Sequence, residues 1–71
     1  MAQTLGDRLR AVRRRLGVSQ VELAAKSGVE QEAIARVEQN KRRSMRSDDL
    51  ARLVKALGVS ADELLGTEPD T

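Results

Sequence analysis

The sequence predicts an all-α fold, five short helices closed around one aliphatic core. Three observations predict it. Apolar residues recur at helical spacing and nowhere alternate as they would along a half-buried strand. Cap signatures stand before the apolar runs at Thr4, Ser19 and Ser60. Gly28 and Gly58 fall where those runs stop.

The first helix is expected to start after Thr4, with Asp7 in its opening turn. Leu5, Leu9, Val12 and Leu16 then share one face. Arg13 lies four residues after Leu9 and borders that apolar stripe, whereas Arg10, Arg14 and Arg15 are expected to point to water. Ser19 and Glu22 form an S-x-x-E capping box, so a second helix should begin at Gln20, and Val18 with Leu23 has the spacing of a hydrophobic staple. Gly28 can take the left-handed conformation that ends it.

Val29 and Ile34 repeat the staple spacing around a third start at Glu30, and Ile34, Val37 and Glu38 continue one face. This helix should end near Gln39, with Asn40 as a left-handed cap and Lys41 near the negative end of the helix dipole. After a basic loop, Lys41 to Arg46, Ser47 with Asp48 and Asp49 is expected to cap a fourth helix whose apolar stripe is Leu50, Leu53, Val54 and Leu57. Val59, Ser60, Glu63 and Leu64 repeat both staple and capping box for a fifth helix that runs to about Leu65. One domain, 1–66, is expected, with frayed residues at Met1 to Gln3 and a polar, acidic, disordered tail at 67–71.

Composition excludes several function classes. The 71 residues hold no Cys, His, Phe, Tyr or Trp. Disulfides, zinc fingers, thiol nucleophiles and histidine bases are therefore out of reach, and no stacking platform for single-stranded nucleic acid can be built. The carboxylates show no cleft, base or metal cluster, so an enzyme, a metal, a cofactor or a small-molecule ligand is not expected. No apolar run approaches the roughly 20 residues that span a membrane, and a cytoplasmic protein is expected. A chain of this size buries only about 60% of its unfolded surface, which makes a partner subunit useful. Net charge is +2 but uneven: arginines cluster at 8, 10, 13, 14 and 15, and Lys41, Arg42, Arg43 and Arg46 form a second group. Such clustering suits a polyanion.

The order Leu16-Gly17-Val18-Ser19-Gln20, Leu23-Ala24, Ser27-Gly28-Val29, Ile34, Glu38 and Leu57-Gly58-Val59-Ser60 resembles the helix-turn-helix of the Xre/Cro family of phage-repressor-like DNA-binding domains. The likeness covers nearly the whole chain. It implies a compact five-helix, lambda-repressor-like domain with the helix-turn-helix at helices 2 and 3. It also implies a partly buried Arg13–Glu38 salt bridge that ties the first helix to the recognition helix, a phosphate contact from Gln20, and base contacts from Gln31, Glu32, Ala33 and Arg36. Those side chains have suitable chemistry. Gln pairs with adenine, Ala meets a thymine methyl, Arg reaches guanine or phosphate, and Glu only accepts, as from cytosine N4. Lys41, Arg42 and Arg43 follow the recognition helix and are expected to grip phosphates.

Members of the family commonly pair through the C-terminal region, which implies a homodimer with Val59, Leu64 and Leu65 at its interface. Leu64 is the more core-like of these and Leu65 the better interface candidate. Two features depart from the family pattern. Glu30 stands where Ser or Thr usually opens the recognition helix, and Glu32 adds a second carboxylate. Between Glu30 and Gln39 three glutamates face one arginine, so non-specific DNA affinity should be low. Glu32 either selects a cytosine or only stabilises the helix start. The loop through Arg42 to Arg46 lacks the usual proline and is one residue longer. The expected function is a sequence-specific, double-stranded DNA-binding transcriptional regulator, a small dimeric repressor reading a pseudo-palindromic operator. The alternative is a protein-interaction module or antitoxin that keeps the fold with weakened DNA binding.

Overall fold

Each helix begins where a local signal satisfies its orphaned backbone groups. In the computed structural model, which describes residues 3–66, α1 spans Leu5–Arg15, α2 Gln20–Ser27, α3 Gln31–Glu38, α4 Ser47–Leu57 and α5 Ala61–Leu65. The Asp7 N–H donates to the Thr4 hydroxyl at 3.0 Å while the Thr4 N–H donates to the Asp7 carboxylate at 3.3 Å. Ser19 and Glu22 do the same at 3.0 and 3.1 Å, and Glu63 accepts from the Ser60 N–H. Gly28 ends α2 at φ +78°, and Asn40 holds φ +61° just past α3. The terminal residues, with the expected frayed Met1 and Ala2 and the expected disordered tail at 67–71, lie outside the described residues. Among the described residues no helix is long and apolar enough to cross a membrane.

All five helices feed one core: Leu9 and Val12 from α1, Leu23 from α2, Ile34 and Val37 from α3, Leu53 and Leu57 from α4, and Leu64 from α5, with Val29 from the turn between α2 and α3. Full burial of each such side chain contributes about 1.5–3 kcal/mol. Three local expectations are corrected. Leu16 is 44% exposed, because α1 ends at Arg15 and Leu16 is its C-cap. The N-cap of α4 is Arg46, not Ser47, and makes no side-chain cap bond; Asp48 and Asp49 still occupy the first turn. Leu64, named among the interface candidates although the more core-like of them, is fully buried in the core and leaves that surface to Leu65 and Val59.

A second set of contacts locks α3 in place. Glu38, at the end of α3, is 1% exposed, and its carboxylate accepts from Arg13 Nε and Nη2, each at 2.8 Å. Gln20 Nε2 adds a bond at 3.1 Å, and Arg13 Nη1 donates to the Val18 carbonyl at 3.0 Å. One carboxylate thus joins α1, α2 and α3. Burial alone would raise the Glu38 pKa. The hydrogen bonds from Arg13 and Gln20 and the charges of Arg13 and Arg10 outweigh it, and the carboxyl is held below its usual value of 4.5. Arg13 moves the opposite way, upward, chiefly through its hydrogen bond to Glu38. On the same seam, Gly6 of α1 lies against the α3 backbone so closely that a Cβ there would sit 2.0 Å from the Val37 carbonyl oxygen.

Gly6→Ala is expected to push α1 off α3 and cost about 3 kcal/mol, the upper end of overpacking penalties, read as a lower urea midpoint. Glu38→Ala leaves the mostly buried Arg13 guanidinium, 13% exposed, without its carboxylate partner and should cost about 3 kcal/mol at pH 7 in the same assay. Because the folded-state pKa of Glu38 is depressed, its contribution is fully present above the unfolded value near 4.5 and disappears as pH falls through the lower folded value. Wild-type stability should therefore drop below about pH 4.5 more steeply than that of Glu38→Ala.

Candidate nucleic-acid interface

With Ile34, Val37 and Glu38 turned inward, the opposite side of α3 is presented to solvent. Gln31, Glu32 and Arg36 are exposed there, and Ala33 is partly buried where it borders the core. Glu30 is the N-cap but its side chain makes no cap bond, so the first-turn N–H groups of α3 keep no side-chain partner. Eight residues make a helix about 12 Å long, which the major groove, about 12 Å wide, accommodates.

The basic loop is folded back onto the end of α3. The left-handed Asn40 reverses the chain, and the N–H groups of Lys41 and Arg42 both donate to the Arg36 carbonyl, at 3.0 and 3.2 Å. Asn40 is itself fixed: the Thr4 hydroxyl donates to Oδ1 at 2.6 Å, and Nδ2 reaches Asp7 at 3.5 Å. The backbone bond to Thr4, then the side chain of Asn40, hold the Asp7 carboxyl below its usual range. Lys41, Arg42 and Arg43 are all exposed beside the recognition helix, and Arg42 lines a shallow concavity with Glu30, Glu32, Ala33 and Arg36. The structure thus brings Glu32, Ala33, Arg36 and Arg42 together on one surface.

Two residues sit differently from expectation. The Gln20 side-chain amide is directed at Glu38 rather than outward. Of the first-turn N–H groups of α2, that of Glu22 is already bonded to the Ser19 hydroxyl, which leaves those of Gln20 and Val21 outside the capping box. Arg10, expected in water, reaches Glu38 instead: Nη2 donates to the Glu38 carbonyl and Nε lies 3.7 Å from Oε1. Its i, i+3 spacing to Arg13 put both on one helix face and was the available signal. Arg15 also has a partner, Glu63 at 2.9 Å, which ties α1 to α5 and, through that hydrogen bond first, keeps the Glu63 carboxyl below its usual range. Arg14 is exposed as expected.

The charge of the recognition helix is also less negative than a count of residues suggests. Glu38 is buried against Arg13, and Glu32 is paired with Arg36 at 2.5 Å across one helical turn. Glu30, at the positive end of the helix dipole, is the remaining carboxylate of the segment.

A family model described as a helix-turn-helix domain matches residues 4–65. The restriction-modification controller protein C.AhdI from Aeromonas hydrophila is similar in structure, with a TM-score of 0.79 and 33% identity over 86% of this chain and 91% of that one. The P22 c2 repressor, solved in complex with synthetic operator 9T in the presence of Tl+, gives a TM-score of 0.81 and 34% identity over 94% of this chain and all of that one. Five helices in the same arrangement, the second and third joined at a left-handed glycine, and a family match across almost every described residue lead to one conclusion: the chain belongs to the helix-turn-helix domain family, in its Xre/Cro, phage-repressor-like form.

Proposed function

We propose that this DNA-binding transcription regulator is a small repressor that reads a pseudo-palindromic operator as a homodimer in the cytoplasm. One observation carries the reading: α3 is clamped from behind by the core and by Arg13, and presents Gln31, Glu32 and Arg36 outward with Lys41, Arg42 and Arg43 folded alongside. Base-reading groups and phosphate-gripping groups therefore share one rigid surface, as sequence-specific recognition requires. In this reading α3 enters the major groove, Gln31 pairs with adenine, Ala33 meets a thymine methyl and Arg36 reaches guanine. Lys41, Arg42 and Arg43 bind the backbone beyond the groove, and the N-terminus of α2 at Gln20 receives a phosphate. The similarity to a repressor solved with its operator supports this assignment.

Pairing is proposed through α4 and α5. Leu65 is 47% exposed, Val59 is half-buried, and Leu50, Ala51, Val54 and Ala61 line a mostly apolar groove nearby. An isologous contact there places two recognition helices about one DNA turn, ~34 Å, apart.

Selection from a random duplex pool at about physiological salt, where non-specific Kd is typically about 10⁻⁴–10⁻⁶ M, is expected to enrich a palindrome with half-sites about 10 base pairs apart. No enrichment by folded protein would favour the protein-interaction or antitoxin reading instead. Leu65→Glu is expected to sediment as a folded monomer and to lose affinity for the full operator. A variant that stays dimeric would remove α5 from the interface.

A further inference from the structure

Among the described residues, the Glu32–Arg36 ion pair on the outward face of α3 has no role in holding the fold. Arg36 Nη2 donates to Glu32 Oε1 at 2.5 Å, with the two side chains 61% and 71% exposed. Glu four residues N-terminal to a cation is the favourable order along a helix, yet an exposed pair of this kind adds little to stability because water screens it. Neither side chain is bonded to the scaffold by any other hydrogen bond or ion pair among the described residues. Both stand on the face that enters the groove under the proposed function, on which this inference rests.

We infer that Glu32 is a positioning residue for Arg36 and that the pair acts as one reading unit for a guanine in the operator half-site. A lone arginine at this position would sweep many rotamers and could settle on any nearby phosphate. Tied at Nη2, the guanidinium keeps Nε–H, both Nη1 hydrogens and the second Nη2 hydrogen for a base edge, and its rotamers are biased towards the pair before DNA arrives. Guanine is the base that offers two acceptors, O6 and N7, to such a fork. Water excluded from the groove strengthens the Glu32–Arg36 attraction, and the neutralised carboxylate is spared repulsion by the phosphates. Glu32 thereby contributes through the orientation of Arg36. Direct selection of a cytosine by Glu32 is a different role with a different signature.

The test measures base preference at every operator position for the full-length wild type, Arg36→Ala, Glu32→Ala and Glu32→Gln, each shown by circular dichroism to be folded. Arg36→Ala locates the guanine by abolishing preference at one half-site position, a loss of about 5- to 100-fold in discrimination. Glu32→Ala is expected to reduce preference at that same position about tenfold or more, while affinity for random DNA rises because a negative charge has gone. Glu32→Gln, which keeps an acceptor for Arg36, should restore part of the preference. Three results overturn the inference: unchanged preference in Glu32→Ala with uniformly tighter binding, loss confined to a base other than the one lost in Arg36→Ala, or no rescue by Glu32→Gln. Absence of any base preference in the wild type would be a failure of the proposed function itself, and the inference would fall with it.

Discussion

A carboxylate at the junction of three helices is tolerable only when its acceptor positions are met by donors of the right charge. Glu38 meets that condition through two bonds from Arg13 and one from Gln20, while Arg10 approaches from the rim. Breaking such a pair is far more damaging than its net stabilisation suggests, because the surviving charge stays buried. The geometry also does what a Leu–Leu contact could not. A bidentate fork accepts one orientation, so the rotation of α3 about its own axis is set as well as its position. The outward face depends on that rotation, since a turn of one residue would bring Val37 or Ile34 outward and bury Arg36.

Electrostatic division of labour follows. Arginines on the core side of α3 hold the fold, the arginine on its outer side is paired with Glu32, and the cations of the loop remain exposed. Phosphate contacts supply affinity that is strongly salt-dependent, and base contacts supply discrimination. With Glu32 paired to Arg36 and Glu38 to Arg13, two of the three carboxylates of the α3 segment are neutralised and Glu30 is left at its N-terminal end.

Features determined within four residues of chain were legible in the sequence. The cap at Thr4, the box at Ser19, the left-handed Gly28 and Asn40, and the inward stripe of Ile34, Val37 and Glu38 are all local consequences of side-chain chemistry. The Arg13–Glu38 pair was legible only through family resemblance, because 25 residues separate the partners. Tertiary contacts account for what was misread. Arg10 turns from water to the Glu38 carbonyl, and the Gln20 amide turns inward, because α1, α2 and α3 converge there. The contact of Gly6 with Val37 had no sequence signal beyond a glycine inside a helix, and the N-cap at Arg46 lacks the residue type that marks such sites. The i, i+4 spacing of Glu32 and Arg36 was visible, but its meaning depended on knowing that both side chains face away from the scaffold.

The strict separation of faces on α3 has an evolutionary consequence. Ile34, Val37 and Glu38 carry the fold, and Gln31, Glu32 and Arg36 form no contact that the fold requires. If the outward positions read the operator as proposed, codon changes there would alter the preferred site without moving the protein towards its stability threshold. On that reading a lineage built on this scaffold would acquire new target sites by change at three positions that cost the fold nothing, while the buried clasp holds α3 in the same orientation in every descendant.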